Sequence, residues 1–138
     1  MTINQKENDE NLVDTCVWSQ ALRRKSPDKE IITELTDLIN DGLVVTIGPI
    51  KQELLSGIAN DKQFNKIQNI LSSFESVPLD DEVFIKAAEF SNVCRSKGVQ
   101  GSAIEYLICA AAFLFNLSIF TIDNDFKYYS SHIPVMLF

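Results

Sequence analysis

Apolar positions along the chain switch between short continuous runs and helical spacing, and this switching lays out the secondary structure. Asn11-Leu12-Val13 is a short apolar run that stops on Asp14, and a helical pattern follows through Trp18, Ala21 and Leu22. Ser26-Pro27-Asp28 breaks the chain and supplies helix-starting chemistry; Ile31, Ile32, Leu35, Leu38 and Ile39 then recur at helical spacing until Asp41-Gly42. A second strand is expected over Leu43-Val44-Val45-Thr46-Ile47. Gly48-Pro49 closes it, and Ile50, Leu54, Leu55 and Ile58 mark the buried face of a helix interrupted by Gly57. Phe64, Ile67, Ile70 and Leu71 predict a further amphipathic helix, and residues 74–79 a weaker third strand ending at Asp80-Asp81.

The same rule continues to the C-terminus. Residues 83–94 read as a helix with Phe84, Ala87, Ala88 and Phe90 among its apolar positions, broken by Lys97-Gly98. Residues 102–115 read as a helix whose centre, Tyr106 to Phe113, is apolar almost all round, as expected of a helix buried on several sides. Ser118-Ile119-Phe120-Thr121-Ile122 is a fourth strand ending at Asp123, and residues 135–138 can form a short last one. Such alternation of β and α predicts an α/β fold: a three-layer α/β/α sandwich around a mainly parallel sheet of four to five strands, joined by right-handed crossovers.

Length and composition narrow this picture. A chain of 138 residues with 46% apolar content suits one domain with a substantial core, expected over 11–138. Residues 1–10 are polar and without periodicity, and are expected to form a flexible leader. No segment reaches the roughly 20 apolar residues of a membrane helix, and no secretion signal precedes the first strand, so a soluble, cytoplasmic protein with no membrane partner is expected. Cys16, Cys94 and Cys109 are odd in number, lack C-x-x-C spacing and read as buried reduced thiols. The net charge of −7 argues against a protein that coats nucleic acid by bulk electrostatics. It leaves room for local binding, since Arg23, Arg24 and Lys25 form a basic run and Arg95 and Lys97 lie close together; solvated helix ends are the plain reading of both.

Candidate chemistry comes from carboxylates. In open α/β sheets sites form beyond the carboxyl ends of the strands, and Asp14 and Asp123 stand at two such ends. Glu53 lies about one turn into the helix after the second strand, on the same rim. Glu105 lies about one turn into the helix before the fourth strand, and joins them if Lys97-Gly98-Val99-Gln100-Gly101-Ser102 returns the chain to that rim. Singly, each has a plain structural reading: Asp14 and Ser102 as helix caps, Glu53 as a surface residue, Asp123 as the start of a turn. Together they point elsewhere, because Glu105 adjoins an apolar run with no local lysine or arginine, and four converging acids would repel one another without a cation. All-oxygen ligands fit Mg²⁺ or Mn²⁺. A Ser-His-Asp set, a phosphate loop and a dinucleotide fingerprint are all missing, and His132 has no partner signature and reads as a surface or turn residue. Metal-assisted hydrolysis is what remains.

Four segments, in order, carry a family resemblance: Leu12-Val13-Asp14-Thr15-Cys16-Val17-Trp18; Gly48-Pro49-Ile50-Lys51-Gln52-Glu53-Leu54-Leu55-Ser56-Gly57; Gly98 to Ala112 around Glu105; and Phe120-Thr121-Ile122-Asp123-Asn124-Asp125-Phe126. They resemble the PIN domains, in particular the small VapC-type toxins of bacterial toxin–antitoxin pairs. The resemblance implies that Asp14, Glu53, Glu105 and Asp123 are the metal ligands and catalytic acids of an endoribonuclease. Thr15, Thr121 and Asp125 would orient them by hydrogen bonds. It also implies an RNA substrate, an antitoxin that occludes the site, and a homodimer. The family usually carries aspartate where this chain has Glu105, whose extra methylene would alter the metal spacing. That departure and the acidic pI of about 4.6 favour the alternative, a non-catalytic PIN-like binding module. A receiver domain would want adjacent acids after the first strand, where Thr15-Cys16 follow Asp14 instead. Val17, Trp18, Leu22 and Leu54 could border a groove for an antitoxin helix, or belong to the core, the reading preferred for Leu54.

Overall fold

The computed structural model describes residues 9–138, so positions 1–8 of the expected leader lie outside the described residues. Its last two positions already approach the sheet: the Glu10 carbonyl accepts from Ser118 N at 3.2 Å, and the Asp9 carbonyl from Asn11 Nδ2 at 2.7 Å.

The elements follow the alternation of the sequence: β1 (Asn11–Val13), α1 (Thr15–Leu22), α2 (Lys29–Asn40), β2 (Val44–Thr46), α3 (Gly48–Leu55), α4 (Asp61–Ser72), β3 (Glu75–Ser76), α5 (Asp81–Ser96), α6 (Ala103–Leu114), β4 (Ser118–Phe120), α7 (Asp125–Ser130) and β5 (Met136–Leu137). All four strand pairings are parallel, in the order β3-β2-β1-β4-β5. The expected α/β/α sandwich is therefore what the chain forms, with five strands, the upper of the expected numbers. Leu12 stands beside Val45 on one side and Ile119 on the other, and Leu12, Val13 and Ile119 are fully buried, as both faces of a parallel sheet require. Strand order reverses direction between β1 and β4. Connections leave these two strands in opposite directions, which opens a crevice at their carboxyl ends.

Several elements are shorter than the pattern suggests. The third strand keeps only Glu75 and Ser76, both exposed at the sheet edge, where a short strand limits pairing with other chains. The helix begun at Gly48 stops at Leu55 instead of continuing to Ile58, and Gly57 takes a φ of 85°, which glycine adopts without strain. One element was not expected: α7, a single short helix with Phe126 and Tyr129 fully buried.

Of the two readings open for Val17, Trp18 and Leu54, a groove for an antitoxin helix or the core, the structure gives the core, the reading preferred for Leu54. All three are core residues, because α1 packs its apolar stripe against α2 and α3. Trp18 is 1% exposed and meets Phe74 at 5.1 Å between ring centroids, while Leu22 is half-buried beside them. Cys94 and Cys109 are buried free thiols as expected; Cys16 is only partly buried. His132 is exposed in the turn after α7. Among the described residues no helix is long and apolar enough to cross a membrane.

Candidate active site

The carboxyl ends of β1 and β4 border a cleft of about 450 Å³ whose lining includes Asp14, Glu53, Glu105 and Asp123. The four acids singled out in the sequence therefore share one cavity, although each arrives there by a different route.

Asp14 is the residue at which β1 turns into α1. It caps the helix, with Oδ1 accepting from Thr15 N at 2.8 Å. Its other oxygen accepts from Thr121 Oγ1 at 2.8 Å and from Cys16 Sγ at 3.3 Å. Asp14 is 7% exposed, and burial raises its pKa above the ordinary carboxylate value; the bonds from Thr121, Cys16 and Thr15 oppose that rise, and the Glu53 charge adds to it. Thr121 joins the two strand ends, since the same hydroxyl that donates to Asp14 accepts from Asp123 N at 3.0 Å. Cys16 completes the link, its sulfur lying 3.4 Å from Thr121 Oγ1 and 3.5 Å from Ile122 N. Burial and the Asp14 charge push this thiol's pKa up, so it sits here as a neutral group.

Glu53 lies on α3 with its side chain exposed, and Thr15 Oγ1 donates to its Oε1 at 2.8 Å. Thr15 thus bridges Asp14, through its backbone N–H, and Glu53, through its hydroxyl.

Glu105 requires a correction. Its place beside an apolar run suggests a buried, unpartnered carboxylate, but it is half-exposed and fully engaged. In the first turn of α6 it forms a capping box: Ser102 N donates to Glu105 Oε1 at 3.0 Å and Ser102 Oγ accepts from Glu105 N at 3.1 Å. Tyr129 Oη donates to its other oxygen at 3.1 Å. In α6 the fully apolar stretch begins past the first turn, so the acid lies at the rim while Ile108 to Ala112 fill the core. Tyr129 comes from α7, and burial followed by the Glu105 charge raises its pKa, which keeps the hydroxyl a donor. Gly101 makes room for it. A Cβ there would overlap the Tyr129 hydroxyl and stand 2.8 Å from its Cζ.

After β4, Asp123 Oδ1 accepts from Asp125 N at 2.9 Å, a local turn that aims both side chains at the rim. One carboxylate oxygen from each of Glu105, Asp123 and Asp125 lies within 4.8 Å of the others. Asp125 thereby stands beside Glu105 and Asp123, two of the acids that line the cleft. Its pKa is raised chiefly by Asp123, with burial and Glu105 contributing, as expected of like charges gathered together. No lysine or arginine pairs with any of the three among the described residues. Oxygen donors in this number suit a hard divalent ion; the thiol of Cys16 is spent on Asp14 and Thr121, and His132 is not among the cleft residues.

Tyr129, Gly101 and the role of Cys16 were not legible beforehand. A spacing of three between Phe126 and Tyr129 was the available signal for α7 and hence for Tyr129.

No curated protein sequence matches the chain. Solved structures do. The FitAcB crystal structure from Neisseria gonorrhoeae superposes with a TM-score of 0.77 at 26% identity, over 93% of this chain and 96% of that one. VapBC2 from Rickettsia felis, bound to a DNA fragment from their promoter, gives 0.76 at 17% identity, over 93% and 96%. A toxin–antitoxin complex from Klebsiella pneumoniae gives 0.67 at 15%, over 83% and 88%. At their low identities the latter two show likeness of fold alone. The sequence profile of the PIN domain matches residues 12–131, from the first strand through the acidic rim to α7, and the chain belongs to the PIN-domain family.

Proposed function

We propose that this protein is a Mg²⁺- or Mn²⁺-dependent endoribonuclease, the toxin of a cytoplasmic toxin–antitoxin pair. The observation that carries this reading is the gathering of Glu105, Asp123 and Asp125 oxygens within 4.8 Å, across one cleft from Asp14 and Glu53, with no ion pair to any of them among the described residues. Five acids so placed are costly unless a cation joins them. Glu105, Asp123 and Asp125 would hold the ion, with Asp14 and Glu53 facing it or a second one. Bound there, a divalent ion supplies Lewis acidity at a phosphoryl oxygen and an activated water.

The chain's own groups do the positioning. Thr121 and Thr15 fix the Asp14 carboxylate by hydrogen bonds at 2.8 Å each, and Thr15 also orients Glu53. Ser102 N and Tyr129 Oη hold Glu105, compensating for its length relative to aspartate by anchoring both oxygens. Such supporting bonds typically change metal affinity or activity 10- to 100-fold when removed.

The similar structures described as FitAcB, VapBC2 and a toxin–antitoxin complex support the toxin reading and, with it, an antitoxin partner. Phe84 and Ile85 on α5, 50% and 61% exposed, are apolar surface that an antitoxin or a second copy of the chain in a homodimer would cover.

The test is cleavage of a broad RNA panel with Mn²⁺ or Mg²⁺ by the wild type and by Asp14→Asn and Glu53→Gln. Metal-dependent cutting that both substitutions remove is expected. A wild type that cuts no better than either variant sinks the catalytic reading, and an absence of Mn²⁺ binding heat would favour the non-catalytic module.

A further inference from the structure

Among the described residues, the acid-lined cleft includes a single lysine or arginine, Arg24. A polyanionic strand approaching these carboxylates needs a positive group of the protein to hold it, and the way this arginine is presented points to that task. It follows the last turn of α1, where both Arg23 N and Arg24 N bond to the Ser19 carbonyl, at 3.0 and 3.1 Å, fixing the backbone from which the guanidinium projects. Despite four acids along the same cleft, Arg24 pairs with none of the carboxylates of the described residues. The guanidinium therefore keeps its donors for a ligand.

Two neighbours on α1 extend the donor surface. Ser19 and Gln20 also line the cleft, one helical turn before Arg24. The Gln20 carboxamide is oriented by the residue after the Pro27 break: Asp28 N donates to Gln20 Oε1 at 3.1 Å, which leaves its NH₂ group, a donor only, unspent. Beside its carboxylates the cleft thus carries a hydroxyl, an amide and a guanidinium, all from α1 and the residues just after it.

We infer that Arg24, with Gln20 and Ser19 beside it, forms a phosphate subsite that binds the RNA backbone next to the bond presented to the acids of the cleft. The inference rests on the nuclease reading for its substrate. A guanidinium takes a phosphate through two parallel N–H···O bonds, which a lysine can replace only as a point charge. Arg23, the neighbouring cation of the same basic run, is not among the cleft residues and serves as the built-in control for charge alone.

Binding is measured without catalysis, by fluorescence anisotropy of a short labelled single-stranded RNA in EDTA, over a range of salt. Arg24→Gln is expected to weaken binding about tenfold or more and to lower the salt slope by about 0.7, the value for one phosphate on a single strand. Arg24→Lys is expected to recover part of the affinity, and Arg23→Gln to leave it nearly unchanged. With metal present, Arg24→Gln should raise KM more than it lowers kcat. Equal losses in the Arg23 and Arg24 variants, or no loss in the latter, overturn the subsite. A protein that binds RNA through Arg24 yet cuts none refutes the nuclease reading and upholds the subsite; one that cuts RNA with an unaltered KM in Arg24→Gln does the reverse.

Discussion

The two sides of the acidic cleft are built on opposite principles. Asp14 is buried, and the protein itself supplies three hydrogen bonds to its carboxylate, from Thr15, Thr121 and Cys16. Asp123 and Asp125 are exposed, and their like charges are drawn together with no lysine or arginine ion-paired to them among the described residues. Desolvation strains the first side and mutual repulsion strains the second, as the raised pKa values of Asp14 and Asp125 and their different leading causes record. Under the proposed function, such a site is ordered in advance at its rigid sheet end and would leave the rest for an ion to order.

Asp14→Asn should separate the two sides most sharply. Cleavage is expected to fall about a hundredfold or more, while the metal-free protein melts at a higher temperature near neutral pH, because an unfavourably buried charge is gone. The sign follows from linkage. The folded pKa of Asp14 is raised, so the native state holds the proton longer than the unfolded chain, whose value is 3.8; metal-free stability falls as pH rises through the window from 3.8 to the folded pKa. A thermal-melt series in EDTA should show that fall in the wild type and a flatter profile in the variant. A variant less stable than the wild type at all pH values would break the distinction between the two sides.

Next in size, Asp125→Asn should lower Mn²⁺ affinity 10- to 100-fold by calorimetry, without the gain in stability expected of Asp14→Asn. Thr121→Val removes the bond that ties Asp14 to the β4 end and keeps the side chain's shape. Activity should drop about tenfold, and its acidic limb should move to higher pH, since a bond that lowers the Asp14 pKa is lost. The smallest pair concerns Glu105. Tyr129→Phe should cost about 1 kcal/mol in denaturant unfolding, the net worth of one hydrogen bond, whereas Gly101→Ala should cost about 1–3 kcal/mol, because its Cβ overlaps the ring and hydroxyl of Tyr129. Equal, negligible effects of both would show that Tyr129 does not hold Glu105.

Much of the architecture could be read from residue order. Apolar runs ending at Asp14 and Asp123 marked two strand ends, and Asp28, Asn60, Asp80 and Ser102 cap the helices that follow them. Failures clustered where local pattern and tertiary setting disagree. Trp18 could be placed in a groove or in the core until α2 and α3 were seen to enclose it. Glu105 was expected to be buried because its neighbours are apolar, yet the start of a helix directs its first-turn side chain toward the rim, where it is only partly buried. The short α7 carried too few apolar positions for a period to be recognised, and Tyr129 went unnoticed with it.

By itself the sequence determined that β and α elements alternate, that the sheet is parallel, and that acids stand at strand ends, because these depend on spacings of two to four residues that any stretch of chain displays. Only the tertiary structure decided which groups meet. The Thr121–Asp14 bond joins positions 107 residues apart, the Thr15–Glu53 bond spans 38, and Arg24 shares its cleft with Glu105 and Asp123 from the far side of the sheet order's reversal. Such meetings follow from how the crossovers bring strand ends to one rim, a consequence of packing that no local pattern contains.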